Sequence, residues 1–470
     1  MKNQIIFFLI SLFFFPISYA QKGYNSASVS MGKLSAKHRR IPAPEEIHIT
    51  EYLNYHTHKL PLPEYGEKVR LDLQVSHTDA FAHRYRMERH HVLQLGFSTP
   101  THAEIAQSDK ASNLCLLVDR SGSMQGERIE LAKHALRAFV EGLGPQDIVS
   151  LVVFDHEAEV IVPARAGNQR ELLTAINHLS TRGSTNMSVG VDKACAQLMQ
   201  HFHVKQTNRV IILTDAMINS GELSPQVILA NHANDHDVRL QEHVDFSLIG
   251  VGINFDHQFA RAFTSNAHNT IHFINDHQDI KKVFVEEALS LKSVAARNVE
   301  VKLFVEGQEI CFATRKVYGM DHPKDRYTWK LQDMNYGLTQ VGLIAFTLGE
   351  LCWEGKKYLD ITAVLTYYDP ETGEQRTQSQ KVKIRPNEAP VNYDIEKNWV
   401  IANLAQALKS MSLSVKQNPD QQFNEANKII DTALKEIESH PRFLRDNDVL
   451  FVYKQVKAYQ RDLELAYGKG

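Results

Sequence analysis

Hydrophobic and polar residues along this chain change period several times, and each change marks a new element. Val69, Leu71, Leu73 and Val75 alternate with polar residues, the two-residue period of a strand with one buried face. Val92–Phe97 reads as a second strand. At Leu114–Val118 the run becomes continuously apolar, as in a strand covered on both sides. Beyond Gly126 a helical stripe takes over, with Ile129, Leu131, Ala132, Ala135, Leu136, Phe139 and Val140 on one side. Ile148–Phe154, Glu159–Val162, Arg209–Thr214, Val244–Gly250 and Thr270–Ile274 predict further strands. Arg170–Leu179, Ser188–Phe202 and Gln278–Leu289 predict helices between and after them. Strand–helix alternation over 111–292 calls for an α/β domain, a mostly parallel sheet with helices on both faces.

After residue 292 the helices drop out. Val299–Val305, Glu309–Thr314, Gln340–Leu348, Tyr358–Tyr368 and Gln378–Ile384 predict strands, with D-P-E-T-G at Asp369–Gly373 as a hairpin turn. An antiparallel β domain is therefore expected over 293–389. From 390 to 470 three helical stripes follow, carried by Ile401, Leu404 and Leu408, then Ala426, Ile430 and Ala433, then Val456, Tyr459 and Leu463. They predict helices packed on one another or on the β unit; a coiled coil is the rival, but no heptad lasts long enough. Residues 43–110 hold a short helical segment, Glu45–Tyr55, ended by Pro61 and Pro63, and the first two strands. Two strands cannot make a stable core alone, so this segment is expected to join the later β unit, with the central domain inserted between. Residues 21–42 are polar and aperiodic and read as a flexible leader.

Met1–Ala20 has Lys2 near its front, an apolar core from Ile5 to Phe15, and Ser18 and Ala20 before Gln21. This is the shape of a signal peptide at 1–20, and the core is short for a span of ~20 apolar residues. The mature chain is expected to be exported, to the periplasm, cell surface or medium, with no transmembrane segment. The 470 residues are 43% hydrophobic with a net charge of −3, which gives no support to nucleic acid as a partner. The 23 histidines scatter, and neither H-E-x-x-H nor C-x-x-C occurs, which argues against a zinc centre. Cys115 and Cys195 fall in buried patterns and read as small core residues. Cys311 and Cys352 share the later β-rich region, where export would permit them to pair.

The candidate chemistry sits where apolar strands stop. Leu114–Val118 ends at Asp119, followed by Ser121 and Ser123. In open α/β sheets ligands bind at that edge, and a carboxylate with two hydroxyls is a hard oxygen donor set suited to Mg²⁺. Arg209–Thr214 likewise stops at Asp215, and the polar loop T-R-G-S-T-N at Thr181–Asn186 offers Thr185. No nucleophile–base pair stands out and no G-x-S-x-G elbow is present.

The D-x-S-x-S of Asp119, Ser121 and Ser123, the G-S-T with Thr185 and the T-D of Asp215 resemble, in order and spacing, the von Willebrand factor type A domain family. L-A-K-H-A-L, G-P-Q-D-I-V-S-L-V-V-F and N-R-V-I-I-L-T-D support the resemblance across 111–292. It implies a Rossmann-like fold and a metal-ion-dependent adhesion site. In such a site Ser121, Ser123 and Thr185 would bind Mg²⁺ directly, with Mn²⁺ or Ca²⁺ as alternatives, while Asp119 and Asp215 hold it mainly through water. A protein partner's Asp or Glu would complete the coordination. The five donors read as loop-end groups outside the core. Upstream, P-A-P-E-E-I-H-I-T-E-Y-L-N-Y with a later P-L-P resembles the segment preceding this domain in bacterial exported proteins. One departure is Ala216, where the family has glycine; a β-carbon there is expected to lower metal affinity. The function expected is a non-enzymatic, metal-dependent adhesion or assembly protein. An envelope scaffold with an idle metal site and a hydrolase are the alternatives.

Overall fold

Two β-sheets pack face to face beside a third, and a helical layer closes the assembly. The computed structural model describes Val29, Gly32, Ser35 and residues 39–81, 90–101, 111–204, 206–234, 244–252, 255–265, 269–274, 280, 294–305, 312–320, 322–325, 327–348, 358–385, 390–417 and 419–467. Met1–Ala20, Cys311 and Cys352 lie outside the described residues, so the signal peptide and the pairing do too.

The central domain is built on β3 (Asn113–Asp119), β4 (Ile148–Phe154), β5 (Ala158–Ala166), β6 (Asn208–Thr214), β7 (Val244–Val251) and β8 (Thr270–Ile274). Their order is β5-β4-β3-β6-β7-β8, all parallel except β5, which returns antiparallel to β4. Alternate residues of a strand face opposite sides. Leu114, Leu116 and Val118 therefore join the core beneath α2 (Glu127–Glu141) and α3 (Gln169–Asn177). Cys115 and Leu117 join the opposite core, beneath α4 (Met187–Met199) and α6 (His257–Phe263). That is why β3 has to be apolar throughout, and both Cys115 and Cys195 are buried free thiols. A fifth helix of this domain, α5 (Pro225–Asn234), follows the Asp215 loop. Of the helix expected at 278–289 only Ile280 is described, helical and buried.

The flanking segments form a sandwich. One sheet has the order β1-β2-β14-β10, from β1 (Arg70–Thr78), β2 (His90–Ser98), β14 (Thr339–Leu348) and β10 (Phe312–Tyr318). β2 pairs antiparallel with β14, Leu95 opposite Gly342, so chain from before and after the central domain shares one sheet. The facing sheet is β11 (His322–Asp325), β12 (Thr328–Lys330), β9 (Val294–Val305), β15 (Leu359–Asp369) and β16 (Glu374–Ile384), with β13 (Met334–Asn335) on β9. Leu71, Leu93 and Phe97 meet Val301, Leu303 and Ile361 between them. The outer face of the first sheet, Val92, Val341, Leu343 and Ala345, is covered by α7 (Tyr393–Gln417), itself wrapped by α8 (Pro419–Glu438) and α9 (Asn447–Tyr467). α7 buries Trp399, Val400, Ile401, Ala402, Leu404 and Ala405 in succession, as a helix covered all round must.

Two expectations need correction, and three strands went unforeseen. The leader at 21–42 is not free where it is described: Val29, Gly32 and Ser35 are helical, and Val29 and Ser35 are buried. Gly32 allows this, because its carbonyl accepts from Tyr459 Oη at 2.6 Å and a β-carbon would strike Tyr52 Oη. The segment expected as one helix at 45–55 is a 3₁₀ turn, Pro44–Glu46, and then α1, Ile49–Leu53, with extended backbone at Ile47 and His48 between them. The strands β11, β12 and β13 were not predicted, since H-P-K-D carries no apolar alternation.

Candidate metal centre

β3 and β6 are neighbours in register, Val118 beside Leu213, so their terminal carboxylates emerge side by side. Asp119 is fully buried and bracketed: its Oδ1 accepts the Ser121 N–H at 2.8 Å and its Oδ2 accepts the Thr214 hydroxyl at 2.6 Å. The hydroxyls of Ser121 and Ser123 lie 3.0 Å apart. Ser123 Oγ in turn donates to Asp215 Oδ1 at 3.2 Å, and the Met217 N–H reaches the same oxygen at 3.2 Å. Four of the five predicted donors are thus linked through direct contacts.

Thr185 arrives on a separate loop stitched to the first. The Gly122 N–H donates to the Gly183 carbonyl at 3.0 Å and the Arg182 N–H to the Arg120 carbonyl at 2.7 Å. The Thr185 backbone is pinned from the other side, its N–H to Asn219 Oδ1 at 2.9 Å and its carbonyl to the N–H groups of Asn219 and Ser220. Its hydroxyl is buried and has no hydrogen-bond partner among the described residues. A buried orphan of this kind costs about 1–3 kcal/mol unless something satisfies it.

The reading of these donors as groups outside the core is wrong. Asp119, Ser121, Thr185 and Asp215 are all buried, and only Ser123 is half-exposed. Burial pushes the Asp119 carboxyl up to about 6, with the nearby Asp215 charge acting the same way, against the hydrogen bonds from Ser121 and Thr214. Among the described residues no three His, Cys, Asp or Glu side chains cluster as a metal-binding group. The arrangement is instead two carboxylates with three hydroxyls.

Two residues that organise the centre escape the motif. Asp155 follows β4 as Asp215 follows β6, and that repetition of an acid after an apolar strand was the available signal. It is buried, accepts Arg120 Nε at 2.6 Å and Arg182 Nε at 2.9 Å, and its carbonyl accepts the Asn186 N–H at 2.8 Å. One carboxylate so ties the Ser121 loop to the Thr185 loop. Burial pushes the Asp155 carboxyl up, but Arg182 and Arg120 outweigh it and hold the group at about 2. Arg128 is the other, with Nη1 2.9 Å from Asp215 Oδ2 and also on the Ser123 carbonyl.

Ala216 takes a left-handed backbone, φ 57°, with its N–H on Thr214 Oγ1 at 2.9 Å. Alanine pays about 1 kcal/mol or more for that conformation. Its buried methyl, within the core beside Ile212 and Ile228, returns about 0.8 kcal/mol. Ala216→Gly is therefore expected to leave stability within about 1 kcal/mol, whereas Ala216→Val, β-branched at positive φ, loses more than about 2 kcal/mol. Thermal unfolding of the two variants checks the contrast, and an equal effect would show that the loop is not held at this φ.

Residues 114–217 match the family model described as the von Willebrand factor type A domain. The protein carries a von Willebrand factor type A domain. It is 25% identical over 276 residues to the uncharacterized protein YfbK of Escherichia coli K12, covering 56% of this chain and 45% of that one. It is 29% identical over 131 residues to human inter-alpha-trypsin inhibitor heavy chain H3, covering 26% and 15%. The chain thus spans under half the length of the curated relatives it matches. A solved structure, the von Willebrand factor type A protein from Catenulispora acidiphila, superposes with a TM-score of 0.51 at 13% identity over 80% of this chain and 89% of that one. That likeness is one of fold. Among the described residues no helix is long and apolar enough to cross a membrane.

Proposed function

We propose that this is an exported binding protein, not an enzyme, whose A domain engages a protein ligand through a divalent ion of the Mg²⁺ type. The observation that carries the reading is the Thr185 hydroxyl, buried and unpartnered on a loop fastened to the Ser121–Ser123 turn. A magnesium-like ion takes oxygen donors and prefers to keep several water or ligand positions open. Ser121, Ser123 and Thr185 would hold it through neutral hydroxyls. Asp119 and Asp215 would supply charge from behind, Asp119 fixed by Ser121 and Thr214, Asp215 by Met217 and Arg128. When bound, the ion supplies an open, under-neutralised position that an Asp or Glu of the partner can fill. The apolar run from Ile5 to Phe15 supports export.

Calorimetric titration of the full chain with Mg²⁺ and Mn²⁺ tests the centre. Wild type is expected to bind one ion. Thr185→Val, which removes a single oxygen and keeps the shape, is expected to weaken that binding at least about tenfold while the protein stays folded. Equal uptake by the two proteins would remove the support Thr185 gives to the reading.

A further inference from the structure

We infer that Arg128 is a built-in counter-cation of this centre, one that holds Asp215 in place and keeps divalent affinity deliberately low. The inference rests on the metal reading above. Three observations carry it. First, the two oxygens of Asp215 divide their work: Oδ1 faces the Ser123 hydroxyl and the Met217 N–H, and Oδ2 faces Arg128 Nη1 at 2.9 Å. The guanidinium therefore occupies the oxygen turned away from the hydroxyls. Second, Arg128 lies in the first turn of α2, where a positive charge opposes the helix dipole, so its position has a cost that its contacts must offset. Third, the backbone leaves a lane for it. Gly252 has φ 89°, and a β-carbon there would stand 2.7 Å from Arg128 Nε and 3.0 Å from its Cδ.

The charges decide the consequence. Asp119 and Asp215 offer two negative charges behind three neutral hydroxyls, and Arg128 cancels one of them. A divalent ion held there keeps net positive charge, which favours an anionic ligand in its open position and disfavours tight binding of the ion alone. Removing Arg128 also removes one contact that orients Asp215. The Ser123 hydroxyl and the Met217 N–H remain on Oδ1, so the carboxylate keeps its aim toward the hydroxyls. The electrostatic gain should therefore exceed the positional loss.

Calorimetry with Mg²⁺ on the full-length chain separates the possibilities, using wild type, Arg128→Met, Arg128→Gln and Arg128→Lys. The two neutral variants are expected to bind Mg²⁺ at least about tenfold more tightly than wild type, and Arg128→Lys to stay close to it. Without the ion the neutral variants should melt below wild type, because Asp215 is left buried and unpaired, and Mg²⁺ should raise their melting temperature by more than it raises that of wild type. A merely structural role for Arg128 predicts the opposite sign, weaker Mg²⁺ binding in both neutral variants. If wild type binds Mg²⁺ and the folded neutral variants bind it equally or less well, the inference is overturned. If wild type binds neither Mg²⁺ nor Mn²⁺, the metal reading fails and takes this inference with it.

Discussion

Asp245→Asn is expected to cost about 3–5 kcal/mol of stability, the penalty for leaving buried cations without their counter-charge. Asp245 opens β7 at the end of the central sheet opposite the candidate centre, and it is 1% exposed. Arg297, on β9 of the sandwich, clasps it with both Nη atoms at 2.8 Å, and Arg209 of β6 donates to it at 3.1 Å. Asp333 completes the group on Arg297 at 3.0 Å. Among the described residues, two positive and two negative side chains thus meet in a buried joint between the domains. Burial lowers the Arg209 pKa, while at Arg297 the neighbouring Asp245 raises it against the pull of burial. An asparagine keeps the shape and deletes the charge, leaving Arg209 with no carboxylate. All three tryptophans lie outside 111–292, with Trp329 in the sandwich and Trp399 in the helical layer, so tryptophan fluorescence reports on parts of the chain other than the A domain. Urea unfolding followed at these tryptophans should shift strongly for a change made inside the A domain. A shift under about 1 kcal/mol would show that the joint does not couple the two.

Asp119→Asn is expected to lower divalent binding at least about a hundredfold, since it deletes one of only two charges behind the hydroxyls. The wild-type affinity should also depend on pH in a stated direction. The folded value of about 6 for Asp119 lies above the ordinary carboxyl range. The metal-free fold therefore favours the protonated form as pH falls through 6, and an ion must then displace that proton. Affinity is expected to level off above about pH 7 and to fall about tenfold per pH unit below about 6. Calorimetry in buffers of different ionisation enthalpy should find close to one proton released per ion near pH 5. Flat affinity from pH 5 to 8, or unchanged binding by Asp119→Asn, would remove Asp119 from the centre. The same shift makes the metal-free protein pay for an ionised Asp119 at neutral pH.

Period alone located most of the framework. The unbroken apolar run at 114–118 can be buried only on both faces, and the two-residue alternation at 69–75 only on one, so a parallel domain and a separate half-buried strand follow without coordinates. Asp119 and Asp215 stand out for a related reason, since an acid at the end of an apolar strand has few uses inside a core, whereas Ser121, Ser123 and Thr185 lie outside the strands and are assigned as ligands by the family resemblance. Other features were silent because their cause is not local. Arg128 is an ordinary surface-looking cation until Gly252, more than a hundred residues away, opens the lane that lets it reach Asp215. Val29 and Ser35 sit in a polar stretch, and only the α9 surface around Tyr459 shows why these two residues are buried. The short strands at 322–335 owe their conformation to the edge of β9 and carry no pattern of their own. Asp245 reads as one acid in an apolar strand, while its partners Arg209 and Arg297, and Asp333 on the far side of Arg297, come from three other segments. By itself the sequence determined most of the strands and helices and which side chains end them, because burial period and strand-end chemistry are local properties. Tertiary structure alone decided what neutralises those side chains, because the partner of a buried charge is set by how distant segments pack.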